Sequence, residues 1–279
     1  MTDATHDTRP AARLAGRISQ ATYAVIEKRV QTAVSLAILG LVLLAWQFLP
    51  PALDMPRYII PTFSQCLSEL LRMYQSEGLA GHTISTAIYT VLGFAIGSAL
   101  GAAMGYLLGM SRFWEKVLSP YILALQIAPK VAFAPLFIMW FGYNAMPKLL
   151  VAVLIVFFPV LVNVLQAMRT VDRDLVNLAR AYSLNRWQIF RKIEMPSTLP
   201  NLMAGLRIAS TLAVIGITVG ELVGGNSGLG YLIAYGGGQA NAAMVFNAII
   251  LLTVIGFALY LVLERIEARV LHYIPRAQG

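Results

Sequence analysis

An all-α integral membrane fold of six transmembrane helices is what this sequence predicts, on three observations. Of its 279 residues, 58% are hydrophobic and 12% charged, against about 45–50% apolar and about 25% charged in an average soluble domain. Six apolar windows approach the ~20 residues that span a bilayer core, at about 33–50, 83–109, 117–141, 148–168, 199–223 and 244–263. These runs do not alternate polar with apolar, which sets aside the closed barrel, the other structure that satisfies its own backbone in lipid.

The third observation is where the charge falls. Arg9, Arg13, Arg17, Lys28 and Arg29 precede the first window, and Arg112 and Lys116 lie between the second and third. Arg169, Arg173, Arg180, Arg186, Arg191 and Lys192 lie between the fourth and fifth, and Arg265, Arg269 and Arg276 follow the sixth. The alternate connections hold only Arg57, Arg72 and Lys148. Cations gather on the cytoplasmic side of a membrane protein, so both termini and the basic loops are expected in the cytoplasm. The net charge of +8 and pI near 9.7 are thus a topology signal, and nucleic acid is not an expected partner.

The elements follow in order. Residues 1–32 form a polar N-terminal tail, and the first span at 33–50 lacks a small-x-small cleavage site after it, so it reads as a retained anchor. Residues 51–81 connect outside the membrane. There Phe63, Cys66, Leu67, Leu70, Leu71 and Tyr74 recur at helical spacing, as in an amphipathic helix on the outer surface or against other helices. Cys66 is the lone cysteine, which leaves no intrachain disulfide.

The second span carries Gly93, Gly97, Gly101, Gly105 and Gly109 four apart, a helix-packing stripe that lets two backbones approach closely. Pro129 and Pro135 interrupt the third span, and a broken helix points to a cavity. Lys130 beside the break either meets an anionic group on a pathway, or snorkels to the interface or bonds the carbonyls that Pro129 frees. Gln126, Lys130, Asn163, Thr211, Thr218 and Glu221 are the candidate translocation-pathway residues, with Gln166 a further polar side chain in a span. Arg207 lies near enough to the inner end of the fifth span to snorkel. The glycine-rich stretch after Glu221 has too short an apolar core to cross and reads as re-entrant.

No catalytic constellation is present. H-E-x-x-H, G-x-S-x-G and C-x-x-C are absent, and His6, His82 and His272 are scattered through tails and loops. The phosphate loop G-x-x-x-x-G-K-[ST] is absent too. Neither an enzyme, a bound metal nor a cofactor is expected in this chain.

The segment 169–199 reads as two short helices. Leu175, Leu178, Ala179 and Tyr182 share one face, Ser183 and Leu184 turn, and Asn185 with Gln188 makes a capping box. Trp187 and Phe190 fall at contact spacing, Pro196 is expected to stop the second helix, and Pro200 to open the next span in its first turn. Such an aromatic, basic helix suits an anionic membrane surface or a partner's groove.

The residues of this segment resemble the EAA loop of ABC importer permeases, E-A-A-x-x-x-G-x(9)-I-x-L-P, with Asn177, Leu178, Ala179, Ser183, Ile193, Met195 and Pro196 in register. APLFIMWFG, FFPVLVN, RWQIFRK and GELVGGNSGLGYLI are similar to the branch that imports nitrate, taurine, alkanesulfonates, pyrimidine precursors and riboflavin. The resemblance covers about residues 55–266. It implies a transmembrane core at 82–266, a coupling loop at 173–196 and a C-terminal tail at 267–279. It further implies a second permease copy, a cytoplasmic ATPase dimer that uses ATP and Mg, and a periplasmic solute-binding protein, in a bacterial inner membrane. Tyr182, Arg186, Trp187 and Phe190 join the matched positions as the expected ATPase-coupling set. Three positions depart from the pattern: Asn177 replaces glutamate, Met195 leucine and Ser183 glycine, the last costing about 1–2 kcal/mol if the turn is left-handed. Thr86 is followed by Tyr89 where the family often has T-L-x-R, and no role is carried to it. Lys130 favours an anionic solute moved by alternating access. A stand-alone channel or secondary transporter is the other transport reading, and a membrane scaffold without transport a third.

Overall fold

The computed structural model describes residues 9–272, so the outermost parts of both expected tails lie outside it. Among these residues every regular element is helical. The chain divides into two units at Gln65/Cys66.

In the first unit, α1 (Arg9–Ala52) holds the anchor expected at 33–50, with an apolar run over Arg29–Ala52. Over Arg29–Ala52 its side chains are exposed nearly all round, as a helix in lipid requires. Near its C-terminal end, Trp46 donates Nε1–H to the Pro61 carbonyl at 2.9 Å, and the Gln47 amide bonds both Oγ and N–H of Ser64. Thr62 and Gln65 cap each other's amides and so start α2 (Phe63–Ser76).

In the second unit the stripe on α2 splits in two. Cys66, Leu70 and Met73 turn inward, while Leu67, Leu71 and Tyr74 stay exposed. The inward row packs beside α10 (Leu229–Gly238) and α11 (Ala242–Val270), and Asn247 donates to the Cys66 carbonyl at 2.8 Å. Burial pushes the Cys66 thiol up. Glu69 accepts from Arg72 and from Asn241, and the Arg72 guanidinium holds its carboxyl below the ordinary range.

The core is built on α3 (Leu79–Gly109), α6 (Ala145–Arg169) and α9 (Met195–Gly224). The glycine stripe of α3 faces α6 in fixed register: Gly93 meets Ala152, Gly97 Val156, Gly101 Val160, Gly105 Val164 and Gly109 Met168. A Cβ at Gly93 would stand 2.7 Å from that of Ala152, closer than two carbons pack. Because both series ascend together, α3 and α6 run parallel. The chain between them must therefore cross back, and α4 (Arg112–Ile127) with α5 (Ala134–Phe141) makes that crossing as one span bent by 81°. On α9, Gly205, Gly216 and Gly220 descend along Asn163, Ala152 and Lys148, so α9 is antiparallel to α6. Five helices are long and apolar enough to span a membrane, and the bent pair, taken as one span, makes up the six expected; the third starts nearer Arg112 than 117.

The break falls at Pro129 alone. A 3-10 turn, Lys130–Phe133, follows it, and Pro135 sits in the first turn of α5, where a missing N–H costs nothing.

Lys148, grouped above with loop cations, is instead only 4% exposed, in the first turn of α6. Its Nζ lies 3.1 Å from Oε1 of Glu221, which is 0% exposed on α9, and 4.3 Å from the Tyr89 ring centre. Thr86 donates to Glu221 Oε2 at 2.9 Å and accepts the Leu229 N–H at 2.8 Å. Glu221 Oε2 also accepts the Gly230 N–H at 3.0 Å, and His82 Nδ1 accepts the Gly228 N–H at 2.8 Å. Three successive amides at the start of α10 thus end on side chains of α3 and α9. This clamp fixes α10, a short helix folded back beside α9 and α11.

At the opposite end, α7 (Arg173–Ala181) and α8 (Arg186–Ile189) form the expected helical pair. Ser183 has φ +58°, the left-handed conformation that glycine adopts at no steric cost. The Leu184 N–H bonds the Ala179 carbonyl at 3.1 Å and the Ser183 N–H that of Arg180 at 2.8 Å, a Schellman motif. Asn185 and Gln188 complete the capping box at 2.8 and 2.9 Å.

Pro196 does not stop the helix, contrary to expectation. A π-helical turn, Phe190–Glu194, carries the chain into α9, with the Met195 N–H bonded to the Phe190 carbonyl. The wider turn shifts the carbonyl register by one residue just before Pro196, which has no N–H to give. Pro200 consequently falls in the second turn of α9 rather than at its start.

Two stability changes are expected. Glu221→Ala leaves Lys148 buried without a counter-charge and should cost about 3–5 kcal/mol, read as a lowered melting temperature in detergent. Lys148→Met on that background should recover part of the loss; no recovery would show that the pair is not coupled. Ser183→Gly removes left-handed strain, offset by the freer unfolded chain, and should slow amide exchange at Leu184 roughly two- to fivefold.

Candidate functional site

The end of the molecule that carries the α7–α8 pair also holds the C-termini of α3, α6 and α11 and the N-termini of α4 and α9. One contact ties the pair to the α3–α4 turn, and a second ties the end of α6 to α4. Arg186 donates to the Met110 carbonyl at 2.5 Å and to Glu194 at 3.4 Å, and Arg169 pairs with Glu115 on α4. Arg207, expected to snorkel, pairs with Glu267 near the end of α11.

The structure sorts the coupling candidates into two groups. Phe190 is buried, 8% exposed, with its ring edge-on to Tyr106 of α3 at 5.2 Å. It supports Trp187, whose ring lies 5.4 Å away and is 63% exposed. Ala179 is buried and Ile193 and Pro196 half-buried, so these positions seat the segment on the bundle. Asn177, Leu178, Tyr182, Ser183, Arg186 and Met195 are exposed. Leu175, Leu178, Tyr182 and Trp187 leave large apolar surfaces uncovered at this end, among charged side chains. An apolar patch among charged residues marks an interaction surface.

The broken span presents the second candidate region. Lys130 Nζ donates to the Gln126 carbonyl at 2.5 Å and lies 4.9 Å from the Phe158 ring centre. It thereby caps the carbonyl end of α4, the polarity that favours a cation. Gln126 itself is exposed. Asn163 donates to the Pro159 carbonyl of its own helix at 2.8 Å. Thr211 and Thr218 bond back to Ile208 and Val214 and line a groove of about 570 Å³ between α9 and α11. Thr253 and Tyr260 complete its polar lining, and no charged side chain enters it. Glu221 stands apart from these residues, enclosed in the clamp with Lys148.

Sequence reasoning missed Lys148, Thr86 and His82. A signal for the first was available: Lys148 and Glu221 carry opposite charge at the same predicted outer end of neighbouring apolar runs. Thr86 and His82 had no such mark, since their partners, Glu221 and the amides of Leu229 and Gly228, lie 135 to 146 residues away.

The comparisons with known proteins agree with this arrangement. Residues 97–272 match the family described as binding-protein-dependent transport system inner membrane component. The chain is 40% identical over 234 residues to the riboflavin transport system permease protein of Chloroflexus aurantiacus, covering 83% of this chain and 87% of that one. It is 30% identical over 217 residues to the putative aliphatic sulfonates transport permease protein of Bacillus subtilis, covering 78% and 79%. Its fold is similar to an inward-facing MetNI methionine ABC transporter, at TM-score 0.60 and 21% identity over 69% of this chain and 95% of that chain. A multi-pass bundle with a short helical pair at its cationic end, these relatives and the matched family model lead to one conclusion: the chain belongs to the binding-protein-dependent transport system inner membrane component family, as a permease subunit of an ABC importer in the bacterial inner membrane.

Proposed function

We propose that cytoplasmic ATPase subunits dock on the apolar face of α7 and on Trp187, and that their closure drives alternating access in a pathway enclosed by two permease copies. The observation that carries this reading is the uncovered row Leu175, Leu178, Tyr182 and Trp187 at the cationic end. The ATP and Mg are bound by those partners. The cations at this end support a cytoplasmic position for it and for both termini, and a periplasmic solute-binding protein then meets the side where α10 lies.

For the solute, we favour an uncharged flat heterocycle of the riboflavin or pyrimidine-precursor kind over a nitrate-, taurine- or sulfonate-like anion. Lys130, the reason to expect an anion, spends its ammonium on the end of α4 and the Phe158 ring. The groove that Thr211 and Thr218 line offers hydroxyls and apolar walls without charge. The relative at 40% identity is a riboflavin transport system permease protein.

Two outcomes are expected. Trp187→Asp should reach the membrane at the normal level yet lose ATPase co-purification by at least about tenfold, the scale of a buried aromatic anchor; undiminished co-purification would falsify the docking face. In proteoliposomes with the ATPase and the binding protein, labelled riboflavin should enter only with ATP. Uptake of taurine but not riboflavin would reverse the solute reading, and ATP-independent flux would favour a stand-alone channel or secondary transporter.

A further inference from the structure

The α7 helix has a second face. Arg173, Asn177 and Arg180 follow one another at i, i+4 and i+7, on the side opposite Leu175, Leu178 and Tyr182. That basic face looks into a cleft of about 790 Å³ whose far wall is the α3–α4 turn and the end of α6. Arg112, Lys116, Arg169, Arg173, Arg180 and Arg186 line it, against two carboxylates, Glu115 and Glu194. Both carboxylates are engaged, Glu115 by Arg169 and Glu194 by Arg186. Arg112, Lys116, Arg173 and Arg180 form no ion pair among the described residues. Four uncompensated cations around one concavity create an anion site.

Its depth in the membrane narrows the anion. Gly109, Met168 and Arg169, where α3 and α6 finish, also line the cleft, so it opens at the level where apolar spans give way to headgroups. Next to Arg112, Phe113 and Trp114 are exposed, the aromatic pair expected at a bilayer interface. From there α4 buries no side chain within the chain, and the exposed Val117 and Tyr121 continue an apolar track away from the cleft. A basic pocket joined to an apolar track fits a headgroup and its acyl chain.

We infer that this cleft seats the phosphate headgroup of an anionic phospholipid, with its acyl chains along α4. The seat is distinct from the ATPase docking face, and it needs only that the chain be a membrane protein, so either reading can fail without the other. Binding ties the α3–α4 turn to α7 through a shared phosphate, adding to the Arg186–Met110 and Arg169–Glu115 contacts.

The test is a titration of the purified full chain in detergent with short-chain phosphatidylglycerol, followed by thermal unfolding and native mass spectrometry. Phosphatidylglycerol should raise the melting temperature and stay bound, while short-chain phosphatidylcholine and inorganic phosphate at equal concentration do neither. Arg112→Gln with Lys116→Gln should weaken that binding by at least about tenfold, and Arg173→Gln, on the other wall, should weaken it independently. Arg72→Gln, at the far end of the molecule, should leave it intact. Equal stabilisation by phosphatidylcholine would reduce the effect to bulk lipid, and equal stabilisation by inorganic phosphate would assign the cleft to a soluble anion. Either result, or full binding by both cleft variants, overturns the proposal.

Discussion

Lipid gives a freed peptide group nothing to bond with, and the rest of this structure follows from how each break in a helix is satisfied. At Pro129 the span bends and the released carbonyl of Gln126 takes the Lys130 ammonium. At the start of α10 the amides of Gly228, Leu229 and Gly230 end on His82, Thr86 and Glu221. Before Pro196 the helix widens into a π turn instead of parting. Each solution uses a side chain or turn within one or two residues of the break, or one brought there by a neighbouring helix. The second kind is costly, since Glu221 brings a charge that Lys148 must neutralise. Breaking a buried pair costs more than building an apolar contact in its place, so the clamp is better understood as fixing the position of α10 than as adding net stability.

The glycine ladder supplies the close approach that the clamp requires. With Gly93 against Ala152 and Gly97 against Val156, α3 and α6 lie near enough for Thr86 and Lys148 to reach the same carboxylate. Gly220 on α9 lies against Lys148 and brings Glu221 in from the third side. Small residues thus do in the bilayer what hydrophobic burial does in water, because van der Waals contact is the attraction that remains.

What was legible in the sequence was local. Apolar length gave the spans, the four-residue glycine spacing gave the packing face, and Asn185 with Gln188 gave a cap that formed as read. The strain at Ser183 was also local, and its φ of +58° bears it out. Phe190 and Trp187 looked alike in sequence, yet one faces Tyr106 and the other solvent; helical phase near a π turn cannot be counted at 3.6 residues per turn. Lys148 was misplaced because a lysine at the edge of an apolar run ordinarily snorkels, and its partner lies 73 residues away. The Pro196 expectation failed for the same reason as Phe190: a proline rule framed for α-helices does not hold across a widened turn.

The same widened turn bears on how the two ends of the molecule communicate. From Arg186 to Gly224 the chain is one helical run of 39 residues, roughly 58 Å at 1.5 Å per residue. Trp187 stands at its beginning and Glu221 near its end, so on the proposed reading the ATPase docks on the first turn of the rod that carries the clamp. Along its length α9 is held close to α6: Gly205, Gly216 and Gly220 bring its backbone against Asn163, Ala152 and Lys148, and Ala209 and Ala213 pack with Val156, Val160 and Val164, so beyond the π turn the two helices form one body. The π turn is the one departure from α-helical geometry on that path. There Phe190 is seated against Tyr106, and Tyr106 in turn on Thr198 at 3.1 Å across α9. Those two contacts bracket the turn on both sides, so on the proposed reading the inward-facing Phe190, rather than the exposed Trp187, would carry a push across it.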